Sequence, residues 1–177
     1  DDDGSTSDVL DAIVADDANV NLTLTTAANE SVAATLMSTI GNSTTGTATV
    51  QNALTVTGTQ AQLKAALVDT DTLVVANSGV NALKATVTDA ANASLAATTL
   101  SAIGEKTAGV VTVQNALTVT GTQAELKEAL VDTDTLVVAG AAVNVTVTDA
   151  ESTDIDATKL TAITAKTDGT VTSQNAI

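Results

Sequence analysis

The stretch VQNALTVTGTQAELKEALVDTDTLVVA at 113–139 already occurs once in the chain, as VQNALTVTGTQAQLKAALVDTDTLVVA at 50–76. The two copies are 63 residues apart and differ only at Gln62/Glu125 and Ala65/Glu128. A second phrase occurs three times: LTTAANESVAATLMSTIG from 24, VTDAANASLAATTLSAIG from 87 and VTDAESTDIDATKLTAIT from 147. Self-similarity at a fixed period of this length is the sequence signature of repeat architectures.

The end of the sequence continues into its beginning. The last residues, VTSQNAI at 171–177, match VTVQNAL at 111–117 and ATVQNAL at 48–54. If residue 1 followed Ile177, Gly4 would fall on Gly121, and the register would hold without a gap. We therefore expect one full period of a longer array, with three repeats at 1–54 (a permuted start), 55–117 and 118–177. The array would continue within a giant chain or by identical chains joining head to tail. The predicted assembly interface comprises Asp1, Asp2, Asp3, Val9, Ile13, Asn175 and Ile177.

Each repeat is predicted to contain two helices. TQAELKEALV at 122–131 has Thr122 as N-cap, and a Thr-x-x-Glu capping box reaches Glu125. Thr59 with Gln62, and Ser5 with Asp8, repeat this signal. A shorter helix near 96–104 places Ala97, Leu100 and Ile103 on one face, with Gly104 as its expected end. Its expected N-caps in the three repeats are Ser31, Ser94 and Asp154.

Thr/Val alternation of period two predicts short strands between the helices, with Val inward and Thr outward. The examples are VVTV, LTVT, TLVVA and VTVTDA. The predicted fold class is therefore α/β, a solenoid of short parallel strands and short helices with about two coils per repeat of 60–63 residues. Asn52, Asn115 and Asn175 share one register, and each would either join an amide ladder between coils or serve its own turn.

The composition narrows the function. The chain has no Cys, His, Pro, Phe, Tyr or Trp, and its net charge is −15. Such a charge argues against nucleic acid and anionic membranes as partners, and no apolar run is long enough to insert into a membrane. Without His, Cys or Arg, the usual bases, nucleophiles and phosphate-gripping groups are missing, so we expect no enzyme. A core built without aromatic rings favours regular layers of small side chains.

The Asp-x-Asp loops are the candidate cation site. Asp69 and Asp71, and again Asp132 and Asp134, follow the long helix in VDTDT. Carboxylate oxygens two residues apart suit Ca²⁺, and adjacent coils could complete its shell of 6–8 oxygens. The alternative is that these aspartates are ordinary turn residues. Calcium is the one cofactor that the sequence suggests.

The phrasing VTVTDA…LSAIG…GTVTVQNALTVTGTQAEL resembles the Thr/Ala/Val-rich tandem repeats of very large secreted or cell-surface bacterial proteins, including those of marine cyanobacteria. The resemblance implies an extracellular, structural or adhesive role. The leading expectation is a segment of an extracellular filament, stalk or surface layer that assembles head to tail with copies of itself or with flanking repeats. One alternative is a calcium-dependent adhesin repeat that binds a glycan or a surface, and another is an ice-binding solenoid that uses Thr-x-Thr arrays.

Overall fold

The computed structural model describes residues 19–70, 73–75, 82–132, 137–139 and 142–174. The described chain consists of short strands and short helices. The strands are β1 (Leu22–Leu24), β2 (Ser31–Ala33), β3 (Ala48–Val50), β4 (Thr55–Gly58), β5 (Leu73–Val75), β6 (Lys84–Val87), β7 (Ser94–Ala96), β8 (Val111–Val113), β9 (Thr118–Gly121), β10 (Val137–Ala139), β11 (Asn144–Val147) and β12 (Val171–Ser173). The helices are α1 (Ala34–Asn42), α2 (Gln60–Leu67), α3 (Ala97–Lys106), α4 (Gln123–Leu130) and α5 (Ala157–Thr164).

The strands form three parallel sheets. Their orders are β1-β3-β5, β10-β8-β6-β4-β2 and β12-β11-β9-β7. The paired strands are separated by a few tens of residues along the chain. Val56 pairs with Val32, and Val119 pairs with Leu95, in each case 24 residues away. The predicted α/β class, with parallel strands and short helices, is confirmed.

The sequence repeat is reproduced in the pairing. β6, β8 and β10 pair in the same order as β1, β3 and β5, and β7, β9 and β11 pair in the same order as β2, β4 and β6. The helices contact one another in chain order, α1 on α2 and so on to α5. Equivalent strands of the sequence repeat therefore pair in the same order, although β10 pairs with β8 one residue later in the repeat than β5 pairs with β3.

The predicted Val-in, Thr-out alternation is confirmed. Val111 and Val113 are fully buried in β8, and Thr112 between them is partly exposed. β11 has the same pattern, with Val145 and Val147 buried. The buried faces join the helices in one apolar cluster that runs from Val32 to Ile163 and contains no ring. Since each side chain is small, the burial is distributed over many positions.

Helices α2 and α4 begin as predicted. The hydroxyl of Thr59 accepts the N–H of Gln62, and the Gln62 side chain accepts the N–H of Thr59, which completes the capping box. Thr122 and Glu125 form the same pair at α4. The equivalent prediction for Ser5 and Asp8 lies outside the described residues.

The expected boundaries and relative length of the shorter helix were wrong, since α1 and α3 have 9 and 10 residues and α2 and α4 have 8 each. Ser31 and Ser94 open strands β2 and β7, and the helices begin after Ala33 and Ala96, which have no side-chain cap. These serines lie in extended backbone because the strand pairs with β4 or β9 and leads directly into the helix. In the third repeat the cap is Asp156, two residues after Asp154.

Gly104 does not end α3. The helix continues to Lys106, and the Gly104 carbonyl accepts both the N–H and the hydroxyl of Thr107. Gly104 is thus a buried residue inside the helix, two positions before its end.

Three equivalent turns adopt a left-handed backbone at a residue other than glycine. These residues are Asn29 (φ 67°), Asn92 (φ 68°) and Ser152 (φ 69°). Asparagine tolerates this region much better than other residues with a Cβ atom. The third repeat therefore carries local strain that the first two avoid.

Replacing Ser152 with asparagine is expected to stabilise the chain by about 0.5–1 kcal/mol, because the backbone strain of a left-handed residue is of order 1–3 kcal/mol and Asn relieves part of it. Urea unfolding followed by circular dichroism measures the change, since the chain has no Tyr or Trp to report by fluorescence. Thr153→Asn, at the exposed neighbouring position, is the control and should change little. Equal effects of the two substitutions would contradict the assignment of strain to residue 152.

Candidate assembly and cation sites

The acidic loops place each described aspartate beside a lysine. Lys64 Nζ lies 2.5 Å from Asp69 Oδ1, and Lys127 Nζ lies 2.5 Å from Asp132 Oδ1. All four side chains are substantially exposed, so each ion pair contributes little to stability. Asp71 and Asp134 lie outside the described residues. Within the described ranges, no group of three or more acidic side chains is arranged to hold a metal ion.

The residues of the predicted assembly interface, Asp1, Asp2, Asp3, Val9, Ile13, Asn175 and Ile177, all lie outside the described residues. The interfaces between successive repeats inside the chain are described, and they show which contacts one repeat makes with the next.

A glycine lies against an alanine at each internal interface. A Cβ atom added to Gly58, at the end of β4, would lie 2.8 Å from the Cβ of Ala34, the first residue of α1. A Cβ atom on Gly121, at the end of β9, would lie 2.9 Å from the Cβ of Ala97. Both alanines are 1% exposed. Each strand that ends in glycine thus covers the start of the preceding helix.

A glutamine side chain joins α2 to the start of α3, and another joins α4 to the start of α5. The Gln60 amide donates to the carbonyl of Ala96 (2.8 Å) and accepts the N–H of Ala96 (3.1 Å). The Gln123 amide makes the same two bonds with Asp156, at 2.8 and 3.1 Å. These two pairs, termed here the glutamine bridges, reproduce with a side chain the two bonds that a neighbouring strand would make.

An aspartate later in the same repeat binds the first N–H group of α2 and of α4. Asp89 Oδ2 accepts the N–H of Gln60 at 2.6 Å, and Asp149 Oδ2 accepts the N–H of Gln123 at 2.7 Å. A carboxylate at a helix N-terminus satisfies an otherwise unpaired donor and complements the helix dipole. The aspartate of the VTDA phrase therefore has a structural role in both described copies.

The asparagines of the QNA phrase were expected to form an amide ladder between coils or to bond within their own turn, and the two described ones do neither. Asn52 Nδ2 donates to the carbonyl of Thr26 (2.9 Å), and Asn115 Nδ2 donates to the carbonyl of Asp89 (2.7 Å). Each amide thus binds the backbone of the segment 26 residues earlier, not another amide and not its own turn. Asn175 lies outside the described residues.

Replacing Gln123 with alanine is expected to destabilise the chain by about 1–3 kcal/mol, because the N–H and carbonyl of Asp156 both lose their partner. Gln123 is 4% exposed, so water replaces the amide poorly. Gln114→Ala is the matched control, since Gln114 is exposed and the change should stay within about 0.5 kcal/mol. Urea unfolding midpoints compare the two variants. A midpoint for Q123A equal to that for Q114A would contradict a contribution of this glutamine bridge to stability.

Within the described residues, no strand that ends in glycine covers the start of α5, the last helix of the third repeat. Ala157 begins α5 as Ala34 and Ala97 begin α1 and α3, yet it is exposed. Residues 154–156 are not a strand, although the equivalent residues form β2 and β7. Asp156 caps α5, and its hydrogen bonds, first from the Thr158 hydroxyl and then from backbone N–H groups, lower the pKa of its carboxyl.

Comparison with protein-family models, with curated proteins and with solved structures found no match. Among the described residues, no helix is long and apolar enough to cross a membrane. The internal geometry of the repeat is therefore the basis for a functional proposal.

Sequence reasoning missed the glutamine bridges and the two capping aspartates. The available signal was that TGTQ and TDA occur in each copy of the repeat that the structure pairs. The partner of Gln60 lies 36 residues away, so it could not be inferred from helical periodicity.

Proposed function

We propose that the chain is a structural segment of an extracellular filament, stalk or surface layer, built as a continuous α/β solenoid. Successive segments join head to tail, as copies of the same chain or as flanking repeats. The observation that carries the proposal is that no sheet belongs to one repeat alone.

The five-stranded sheet illustrates this sharing. β2 comes from repeat 1–54, β4, β6 and β8 come from repeat 55–117, and β10 comes from repeat 118–177. The four-stranded sheet begins with β7 of repeat 55–117 and continues with β9, β11 and β12 of repeat 118–177. The middle repeat therefore supplies the last strand of one sheet, β5, and the first strand of another, β7. A unit of this kind leaves strand edges that a neighbouring unit can extend.

The strand order also gives the axial spacing of such a solenoid. One helix accompanies each successive strand position: α1 follows β2, and α2 follows β4, the strand that pairs with β2. In the same way α3 follows β7, and α4 follows its neighbour β9. A repeat with two helices therefore adds two strand positions, or about 10 Å at a strand spacing of about 4.8 Å.

The composition fits this role. A net charge of −15 keeps an extended array soluble, and the lack of His, Cys and Arg offers no catalytic constellation. We propose no enzymatic activity. Calcium bound between Asp-x-Asp loops of adjacent coils remains part of the proposal, with Asp69 and Asp132 as the described members.

Electron microscopy of the purified chain tests the proposal. The expected result is unbranched filaments of uniform width at high protein concentration. Each added segment covers one strand edge and exposes an equivalent edge at its other end, to which the next segment can bind. Dispersed 17 kDa particles at every concentration, together with a native polypeptide of the same mass, would contradict it.

Rows of threonine favour an ice-binding solenoid as the second candidate. Thr57, Thr86 and Thr112 are partners in adjacent strands on the outward face, and Thr120, Thr146 and Thr172 form a second row. Strand spacing places neighbours in a row about 4.8 Å apart, which gives a regular hydroxyl array. Thermal hysteresis of the purified chain would support this candidate, and its absence, with filaments present, would leave the structural role.

A further inference from the structure

We infer that the surface formed by residues 154–157, with Leu160 and Val171, is the acceptor for a second copy of this chain, which docks through its residues 1–13. The surface is termed here the acceptor face. The inference rests on the proposed function and specifies which residues make the junction.

The acceptor face lacks the cover that its internal equivalents have. Ala157 is exposed where Ala34 and Ala97 are 1% exposed. Leu160 is partly exposed where Met37 and Leu100 are fully buried, and Val171 is partly exposed where Val111 is fully buried. The apolar residues are retained, so the third repeat has kept a surface suited to burial.

The internal interfaces identify what covers such a surface. β4 pairs with β2, and its final residue, Gly58, lies against Ala34; β9 pairs with β7, and Gly121 lies against Ala97. The acceptor face therefore fits a strand that ends in glycine and leads into a capped helix. In this chain that pattern occurs a third time at its start, where DDDGST aligns with TVTGTQ and Gly4 aligns with Gly121.

The residues opposite each other follow from the register. Ser94, Leu95 and Ala96 pair with Thr118, Val119 and Thr120, so residues 154–156 of one copy would pair with residues 1–3 of the next. Asp154 and Asp156 would thereby face Asp1 and Asp3, where the internal interfaces have uncharged residues. Carboxylates that face each other on paired strands repel. Salt screens this repulsion, since the Debye length falls from about 10 Å at 0.1 M to about 3 Å at 1 M ionic strength. The junction is thus expected to be tighter at high salt.

A two-copy tandem of the full chain, with Ile177 of the first copy joined directly to Asp1 of the second, tests the inference. We expect it to unfold at a higher urea concentration than the single chain, and by a larger margin in 1 M than in 0.05 M NaCl. Circular dichroism provides the midpoint.

The substitution Ala157→Glu, placed in one copy at a time, provides its own control. In the first copy the glutamate would occupy the filled acceptor face, and we expect the gain in urea midpoint to be lost. In the second copy the acceptor face is free and Ala157 is exposed, so we expect no change. Gly4→Val should show the reverse: the gain in urea midpoint should be lost only when the substitution is in the second copy. Equal effects of A157E in both copies, or no gain in the unsubstituted tandem, would overturn the inference.

These outcomes separate the junction from the proposed function. Filaments of the single chain that persist with A157E would overturn the junction alone. A tandem that responds to the position of A157E, from a chain that forms no filaments, would support the junction and overturn non-covalent assembly.

Discussion

Replacing Leu100 with alanine is expected to destabilise the chain by about 2–5 kcal/mol, the range for deleting a large aliphatic side chain from a packed core. Leu100 is 0% exposed and lies in α3, between the strands of the central repeat and the neighbouring helices. Its neighbours are themselves small aliphatic side chains, so no ring is present that could tilt into the cavity. A stability of 5–15 kcal/mol is typical of a domain, and the loss would be a large part of it.

Leu36→Ala is the matched control for this prediction. Leu36 lies in α1, the equivalent helix of the first described repeat, and it is 47% exposed. The same substitution there is expected to change the free energy of unfolding by less than about 1 kcal/mol, since little apolar area leaves a buried site. Urea unfolding by circular dichroism compares the two, and equal losses would contradict the position of the core.

Replacing Gly109 with valine is expected to destabilise the chain by about 3 kcal/mol, at the upper end of the usual cost of overpacking. A Cβ atom at this residue would lie 2.7 Å from the carbonyl oxygen of Leu83. That same carbonyl accepts the N–H of Gly109 at 2.8 Å, so backbone is bonded to backbone and cannot retreat without losing the bond. Gly46 and Gly169 occupy the equivalent turns against Val20 and Val143.

Ala108→Val is the control for Gly109. Ala108 is exposed in the same turn, so the added methyl groups project into solvent and the expected change is within about 0.5 kcal/mol. Thermal unfolding by circular dichroism measures both variants. A G109V variant as stable as A108V would show that the turn moves away from Leu83 and would contradict the close approach.

The elements that sequence alone predicted are those with a local cause. The capping boxes at Thr59 and Thr122 depend on residues three positions apart, and the burial of Val111 and Val113 follows from alternation along one strand. The 63-residue repeat then required that each feature occur again. These signals were sufficient for the α/β class and for most strands and helices.

The elements that sequence missed depend on residues far apart in the chain. Ser31 and Ser94 have the residue type of an N-cap, and only pairing with β4 and β9 makes them strand residues. The bond from the N–H of Gln60 to Asp89 joins residues 29 positions apart, so it depends on how the chain folds back on itself. The alternation along each strand could be inferred locally, whereas the division of each sheet between repeats could not.

The length of covalent arrays tests the central claim, that the chain is a segment of a continuous stack. Two strand positions in each of three repeats give six positions per chain, or about 29 Å at about 4.8 Å each. Electron microscopy of arrays of one, two and four copies is expected to show rigid rods whose length grows by about 29 Å with every copy. Separate compact particles joined at variable angles, with no constant increment, would contradict the account.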